Sequence, residues 1–428
     1  MLQSARPARL FPHPSISWVL LFPLLLFVFV RGILPAWTGM STDFPNYYTA
    51  ARIVLEHGNV TRMYDDTWFQ EQILRHGINQ SGKFSPFPPP TALVLTPLAY
   101  CEPQTALRAF TVFNVLLLLA SLRCLSRILA VPIIDTAVFL LLSGIGLCNC
   151  FRFGQLYIAV SAGMIIGYYC YREGKQIAAG IVVGLLIPVK YFPLVVLLFF
   201  LVNRDWRIVV AACATVIAEI AVSISILGWQ VHGEFVNSVL GSHLTGHFGA
   251  QNPYSSLFQS WNSLLLRLFV ADPVSNPHPI VDSPALHSVL LAAIVLSCAG
   301  AVVAAALQLN ARARTEAPLL ISLAGIGILT IAPGTATYHY VLLWLPVALL
   351  LKTAWKQGRK WILYGTLAFY AMIGFIPYAL FRDFPGNGLQ NILSFPRLFL
   401  VTLLFLISVT LARRTVHTAT QGPAAVSQ

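Results

Sequence analysis

Long runs of apolar residues recur along most of the 428-residue chain. Several approach the roughly 20 residues that an α-helix needs to cross the hydrocarbon core of a membrane. Twelve such segments can be marked, at 18–34, 105–122, 133–148, 156–171, 177–189, 191–203, 206–228, 285–308, 317–332, 338–351, 361–380 and 396–411. Because apolar segments in lipid must satisfy their own backbone groups, this pattern predicts an all-α polytopic membrane protein.

The number of crossings depends on the two short segments on either side of Lys190, which are typical of either two crossings or one broken, re-entrant pair. We therefore expect a bundle of 10–12 transmembrane helices. The composition agrees, since 57% of the residues are hydrophobic and only 10% are charged. Soluble domains carry about 25% charged residues, so a water-soluble enzyme is excluded.

The basic excess predicts an orientation. The chain has 27 Lys and Arg against 15 acidic residues, a balance that in a soluble protein would suggest nucleic acid. Here 16 of the 27 fall on one side of the predicted bundle, in tails and short connections, as cytoplasmic residues do. They are Arg6, Arg9, Arg123, Arg127, Arg172, Lys175, Arg204, Arg207, Arg312, Arg314, Lys352, Lys356, Arg359, Lys360, Arg413 and Arg414. The charge therefore predicts topology and no nucleic-acid partner.

With this orientation, the cytoplasmic tails are 1–17 and 412–428, and the outer loops are 35–104 and 229–284. We expect 1–428 to form a single transmembrane domain. Most polar residues outside the basic connections lie on the outer face, where nucleotide-activated substrates are scarce. An enzyme working there would need a donor that is already carried in the membrane.

Asp43 stands at the start of the first outer loop. Pro45, Gly58 and apolar residues between them at three- and four-residue spacing predict a short interfacial helix. Asp43 before such a helix is typical of an N-cap. The same residue, fixed at the outer end of the first span, could also act as a general base, and the two roles are compatible.

A second surface helix is predicted after Asp65 and Asp66, whose carboxylates favour capping over cation binding because no third ligand stands at a suitable spacing. The proline-rich stretch 84–91 follows. It cannot be helical, and we expect it to stiffen the re-entry into the membrane and to shape a cavity wall.

Two basic residues on the outer face are candidates for binding an anion. Lys190 is flanked by prolines in an apolar stretch, where an ammonium is costly unless it is paired, reaches the surface or serves an anionic ligand. Phosphate is a natural ligand for Lys190 together with Arg152. For either residue alone, a role as an anchor at the membrane surface is equally consistent with the sequence.

Three other features allow more than one interpretation. His339 at a helix start is typical of a packed or capping histidine as well as of a catalyst. Glu219 within a span could belong to a proton path or be bonded structurally. The seven cysteines lie mostly in apolar runs without a repeated CxxC spacing, so we assign them no chemistry and expect no metal site.

Taken in order, several short motifs resemble glycosyltransferase family 87, whose members are GT-C-fold membrane mannosyltransferases that use polyprenyl-phosphate mannose. The resemblance extends from about residue 40 to 350. The motifs are Asp43-Phe44-x-x-Tyr47-Tyr48-x-Ala50-Ala51, Tyr64-Asp65, Phe87-Pro88-Pro89, Asn114, Gly154-Gln155, Lys190-x-x-Pro193 and Tyr338-His339-Tyr340.

The resemblance implies that Asp43 is the catalytic base and that His339 assists at the reaction centre. Basic residues would face the lipid phosphate, and the candidates for substrate binding are Lys190, Arg152, Gln155, Tyr47 and Tyr48. It implies an integral enzyme of the cell (inner) membrane whose active site faces the periplasm or exterior. A sugar, expected to be mannose, would pass from a polyprenyl-phosphate donor to a lipid or glycan acceptor.

The chemistry of the residues agrees with this implication. Polyprenyl phosphate is a good leaving group that needs cations near its phosphate, and one carboxylate on the opposite face of the sugar gives inversion in a single displacement. No nucleotide, metal or other cofactor is required, and membrane lipids are the expected surroundings.

Two other classes of protein remain open at this point. A lipid or solute transporter or flippase would also show broken helices and charges at the midplane, although inverted repeats would be expected and none is visible. A non-catalytic scaffold would leave Lys190 unexplained.

Overall fold

A computed structural model describes residues 9–85, 87–244, 251–312, 318–381 and 388–420. Within these ranges the regular structure is helical, apart from an isolated bridge between Asp272 and Asn276. Arg6 and Arg314, which contribute to the predicted orientation, lie outside them. So do Pro86 of the proline-rich stretch and the outermost parts of both predicted tails, 1–8 and 421–428.

The α-helices are numbered in chain order. The first ten are α1 (Pro14–Val28), α2 (Leu34–Thr38), α3 (Phe44–Leu55), α4 (Asp66–Arg75), α5 (Thr91–Val94), α6 (Pro103–Leu129), α7 (Ile133–Leu141), α8 (Ile145–Arg152), α9 (Tyr157–Arg172) and α10 (Gln176–Gly184). The others are α11 (Leu194–Val202), α12 (Trp206–Leu227), α13 (Trp229–Glu234), α14 (Gly241–Leu244), α15 (Trp261–Phe269), α16 (Pro284–Arg312), α17 (Pro318–Ile331), α18 (Trp344–Lys356), α19 (Lys360–Phe375) and α20 (Pro396–Thr420).

Among the described residues, five helical stretches are long and apolar enough to cross a membrane: Pro14–Thr38, Pro103–Leu129, Trp206–Leu227, Pro284–Gln308 and Pro396–Arg413. The first combines α1, a π-helical turn and α2. The prediction of an all-α polytopic membrane protein is thereby confirmed. The total of 10–12 crossings and the side that each loop faces stay predictions.

Helices are interrupted in two of the predicted apolar regions, 133–148 and 177–203. α7 and α8 meet at an angle of 75° beside Gly144, whose φ of 52° interrupts the helix. α10 and α11 have nine residues each, and the chain between Gly184 and Leu194 is not helical. Nine residues of helix are about 14 Å long, well short of the roughly 30 Å hydrocarbon core. Lys190 therefore lies in a break between two helices.

The chain divides into two compact units, residues 1–194 with 207–249 and residues 195–206 with 250–428. The expectation of a single domain over 1–428 stays a prediction. In the second unit, α17 and α18 are buried on nearly all sides, which fits their continuous apolar sequence. α17 packs against α16, α18 and α20.

In the first unit, the helix predicted after Asp43 is present as α3. The sequence predicted an interfacial helix, but α3 is mostly buried. Nine of its twelve residues are buried, in a core shared with the proline-rich segment and α6. Gly58 lies past the end of the helix, as the sequence predicts. His57 adopts the left-handed conformation (φ 52°), and the Gly58 N–H donates to the Ile53 carbonyl (2.8 Å).

The second predicted surface helix is confirmed as α4. The Asp65 side chain accepts a hydrogen bond from the Trp68 N–H (3.1 Å), so capping is the role that the structure gives to this carboxylate. It also pairs with Arg62 at 2.7 Å.

Candidate active site

Asp43 occupies an unusual backbone turn between the first span and α3. Its φ is 74° and its ψ is −54°, and the Phe44 N–H donates both to the Thr42 carbonyl (3.0 Å) and to the Phe153 carbonyl (2.9 Å). This is a γ-turn with positive φ, a rare and strained conformation. Backbone strain of this kind concentrates at functional sites, where the surrounding structure holds it in place.

The Asp43 carboxylate does not cap α3, although the residue stands at the N-cap position. One oxygen, Oδ2, accepts a hydrogen bond from Gln155 Nε2 at 2.7 Å. The other, Oδ1, lies 3.5 Å from Thr42 Oγ1. The capping interpretation of Asp43 is therefore wrong for its side chain, which is turned towards Gln155 instead of towards the first N–H groups of the helix.

Gln155 connects Asp43 with Tyr47. Its side chain is only 2% exposed, and its Oε1 accepts a hydrogen bond from the Tyr47 hydroxyl (3.0 Å). The Gln155 backbone N–H donates to the Cys150 carbonyl (2.9 Å), which fixes the residue to the end of α8. Asp43, Gln155 and Tyr47 thus form a continuous hydrogen-bonded chain.

The glycine before Gln155 permits this arrangement. Gly154 has a φ of 64°, and a Cβ atom on it would lie 2.6 Å from the Phe44 Cβ. Positive φ and close approach both favour glycine here. Gly154 therefore allows the end of α8 to pack closely against the start of α3, which brings Gln155 to Asp43.

Lys190 lies in the same unit, in the break after α10, and its side chain is almost fully enclosed, with 7% of the residue exposed. Its ammonium faces two aromatic rings, with Nζ 4.3 Å from the centroid of Phe87 and 5.2 Å from that of Tyr157. The ion pairs within 4.0 Å in the described part of the chain do not include Lys190. The ammonium is thus held by ring faces and not by a carboxylate.

The charges of Asp43 and Lys190 influence each other. Burial raises the pKa of Asp43, while the hydrogen bond from Gln155, the charge of Lys190 and the contact with Thr42 act in the opposite direction. Burial lowers the pKa of Lys190 to about 7, and the charge of Asp43 opposes that shift. A carboxyl of raised pKa beside an ammonium of lowered pKa is typical of a site for proton transfer and anion binding.

Two of the predicted substrate-binding residues do not join this group. Arg152 is exposed at the end of α8, with its guanidinium 5.7 Å from the centroid of the Phe153 ring. The Tyr48 hydroxyl donates to the Cys101 carbonyl (2.7 Å). Neighbouring residues on a helix point in different directions, and here Tyr47 is directed to Gln155 while Tyr48 is directed to the chain entering α6.

His339 belongs to the second unit, in the 3₁₀ segment Thr337–Leu343. Its Nδ1 accepts a hydrogen bond from the Ala336 N–H (2.9 Å), and its ring contacts that of Tyr338. The predicted capping role is present. Because Nδ1 is an acceptor in this geometry, the neutral ring carries its proton on Nε2.

Arg397, which the sequence analysis did not single out, supports the segment that carries His339. It is only 1% exposed, and its guanidinium donates to the carbonyls of Ile373 (3.1 Å) and Ile376 at the end of α19. It also donates to Thr337 Oγ1 at 3.1 Å. A basic residue directly after Pro396, at the start of an apolar helix, was the available signal.

The chain is similar to proteins of known function. The polyprenol-phosphate-mannose-dependent alpha-(1-2)-phosphatidylinositol mannoside mannosyltransferase of Mycobacterium tuberculosis (strain ATCC 25618 / H37Rv) is 24% identical over 314 residues, 69% of this chain and 68% of that protein. The model of glycosyltransferase family 87 matches residues 86–333, more than half of the chain. This range contains Arg152, Gln155 and Lys190. The chain therefore belongs to glycosyltransferase family 87 and is a membrane glycosyltransferase.

Proposed function

We propose that this protein transfers mannose from polyprenyl-phosphate mannose to a lipid or glycan acceptor, by a single inverting displacement on the extracytoplasmic face of the cell membrane. The donor is suggested by the relative named above, which is described as dependent on polyprenol-phosphate mannose. The observation that carries the proposal is that the buried Asp43 carboxylate and the enclosed Lys190 ammonium are connected through Gln155, Tyr47 and Phe87. Their charges also influence each other. Each has neutral partners within bonding distance.

In the proposed reaction, the acceptor hydroxyl attacks the anomeric carbon while Asp43 takes up its proton. The bond between the anomeric carbon and the phosphate oxygen breaks, and polyprenyl phosphate leaves with the bonding electrons. The phosphate thereby passes from one negative charge to two, and the neutralised Asp43 balances this change. Lys190 stabilises the charge that develops on the phosphate, which is the type of stabilisation that lowers a transition state.

The other predicted residues have supporting parts in this proposal. Arg152, which is exposed at the end of α8, attracts the anionic headgroup of the donor. His339 is assigned to assist the reaction because the family resemblance implies it, and an imidazole can exchange hydrogen bonds with substrate or phosphate oxygens. These roles rest on the family resemblance and on the chemistry of each side chain.

The test is an assay of the purified protein with radiolabelled polyprenyl-phosphate mannose and a panel of acceptors that includes phosphatidylinositol mannosides, other lipids and glycans. Transfer is expected from this donor and not from a nucleotide sugar. Polyprenyl-phosphate glucose serves as the matched donor control. Preferred transfer of glucose would refute mannose as the substrate, and retained anomeric configuration in the product would refute a single displacement.

The predicted side of the membrane is tested separately. The protein is reconstituted in sealed vesicles, its orientation is determined by protease accessibility, and a water-soluble acceptor is added outside. If only those molecules transfer the sugar whose 35–104 segment faces the added acceptor, the result supports an active site on the extracytoplasmic face. Transfer only by molecules of the opposite orientation overturns it.

A further inference from the structure

The two oxygens of the Asp43 carboxylate have unequal surroundings. Oδ2 accepts the 2.7 Å hydrogen bond from Gln155, whereas Oδ1 has Thr42 Oγ1 at 3.5 Å, longer than a normal O–H···O hydrogen bond. Oδ2 is therefore engaged in holding the carboxylate. Oδ1 retains the lone pairs with which a carboxylate can accept a proton.

Gln155 can hold Asp43 only if its amide has the correct orientation. An amide offers a donor at one end and an acceptor at the other, and the reverse orientation would place an oxygen against the carboxylate. Because an ionised carboxylate only accepts, Asp43 takes the amide NH₂, and the Tyr47 hydroxyl donates to Gln155 Oε1 at 3.0 Å and so holds the amide in that orientation. Tyr47 is itself buried and packs on Phe87, with ring centroids 4.6 Å apart.

We propose that Gln155 and Tyr47 are positioning residues for Asp43, and not residues that bind substrate. Tyr47 holds the Gln155 amide in place, Gln155 fixes Oδ2, and the carboxylate presents Oδ1 to the acceptor hydroxyl. The inference rests on the proposed function of Asp43 as general base. It reassigns two residues that the sequence analysis counted among the substrate contacts.

The hydrogen bond from Gln155 has a second effect that an experiment can detect. It favours the charged form of Asp43 and so opposes the increase in pKa that burial causes. Removing it raises the pKa of Asp43 further. The acid limb of the pH profile of kcat then moves to higher pH, because a base must be deprotonated to act.

The experiment compares Gln155→Leu and Tyr47→Phe with the wild-type enzyme. Loss of a group that orients a catalytic side chain costs roughly 10- to 100-fold in rate, so Gln155→Leu is expected to lower kcat by that factor. The donor KM is expected to stay within about twofold of the wild-type value, in contrast to the KM increase caused by loss of substrate binding. Tyr47→Phe is expected to produce a smaller decrease in the same direction, with the acid limb shifted as well.

Tyr48→Phe is the matched control, because it also removes one buried tyrosine hydroxyl from α3, but one bonded to Cys101. Its acid limb is expected to remain at the wild-type pH. Thermal stability is measured for every variant. If Gln155→Leu does not fold, Tyr47→Phe decides the question by the same two readouts.

The possible results separate this inference from the proposed function. A raised donor or acceptor KM with an unshifted acid limb would show that Gln155 and Tyr47 bind substrate, and would overturn the positioning role. An unchanged kcat and pH profile would overturn it as well. Full activity of Asp43→Asn would instead remove the base itself, and with it the function proposed above.

Discussion

Replacing Asp43 by asparagine separates the proposed base from the backbone geometry that holds it. Asparagine has the same shape and tolerates positive φ better than most residues, so the γ-turn at 74° can be retained. The side-chain oxygen of the introduced asparagine can still accept the hydrogen bond from Gln155. Because the carboxylate does not cap α3, no cap is lost either.

The expected loss of activity in Asp43→Asn has one cause, since an amide cannot accept the proton of the acceptor hydroxyl. General-base catalysis contributes about 10²- to 10⁴-fold to a rate, which corresponds to roughly 2.7–5.5 kcal/mol of transition-state stabilisation. We expect kcat of Asp43→Asn to decrease by that factor at saturating donor and acceptor. The acid limb of the pH profile should disappear with the carboxyl that causes it.

Stability should respond in the opposite direction. Burial raises the pKa of Asp43 above its ordinary value, so the charged form disfavours the folded state as the pH rises through that pKa. A neutral amide avoids this cost, and we expect Tm at neutral pH to be unchanged or higher. Asp43→Ala should have a lower Tm, since alanine at positive φ is strained by about 1–2 kcal/mol.

Asp65→Asn is the control for this prediction. It makes the same chemical change at another aspartate of the segment 35–104, one that caps α4 and pairs with the exposed Arg62. We expect it to retain wild-type kcat. The measurements are steady-state kinetics with labelled donor and thermal unfolding. If folded Asp43→Asn kept more than about a tenth of the wild-type kcat, proton transfer to Asp43 would be refuted as the basis of the reaction.

Three further predictions concern Lys190, the Gly154 contact and the topology. Donor KM should rise as the pH increases through about 7, because Lys190 loses its proton there, and Lys190→Arg should abolish that rise since a guanidinium stays charged. Kinetics at a series of pH values decide it, and a pH-independent wild-type KM would contradict it. Gly154→Ala should destabilise the protein by about 2–5 kcal/mol through strain and overpacking, whereas Gly174→Ala, with similar φ but open space, should cost only about 1–2 kcal/mol. Thermal unfolding of both variants measures the difference, and equal Tm values would refute the contact. Asp66→Cys in a cysteine-free background should react with a membrane-impermeant maleimide in intact cells. Labelling only after permeabilisation would place 35–104 in the cytoplasm.

Features that depend on local sequence could be predicted. Apolar length indicated the spans, and the capping pattern at Asp65 and the spacing after Pro45 indicated α4 and α3 with errors of one or two residues at their ends. These elements depend on interactions within a few positions of each other. A membrane adds a strong constraint, because backbone groups in lipid can be satisfied in few ways.

The contacts of the candidate site could not be predicted in the same way. Gln155 meets Asp43 from 112 positions away and Tyr47 from 108. Neither spacing nor composition encodes such a distance. The sequence identified Asp43, Gln155 and Tyr47 as polar residues of the predicted outer face. It could not show whether Gln155 and Tyr47 contact the substrate or form hydrogen bonds with each other and with Asp43.

The neighbouring tyrosines illustrate the limit. Tyr47 and Tyr48 are adjacent in the same motif, and the motif alone implies the same role for both. On a helix they are about 100° apart, so their hydroxyls reach different partners. The structure directs one to Gln155 and the other to the Cys101 carbonyl. Helical geometry shows that the two hydroxyls cannot point in the same direction. Only the fold determines that Tyr47, and not Tyr48, is directed towards the Gln155 that holds Asp43.

The neutral partners of Asp43 and Lys190 explain how two opposite charges can coexist in one site and still be available for chemistry. A direct ion pair would stabilise both charged forms, weaken the base and oblige the donor phosphate to displace a carboxylate from Lys190. An amide holds Asp43 without protonating it, and the faces of Phe87 and Tyr157 hold the ammonium with interactions of about 0.5–2 kcal/mol, weak enough for a phosphate to replace. In the proposed reaction both charges change partners, since Asp43 gains a proton and Lys190 gains a phosphate. Neutral, polarisable neighbours therefore suit the proposed reaction better than a salt bridge, and they leave the carboxylate and the ammonium available before either substrate arrives.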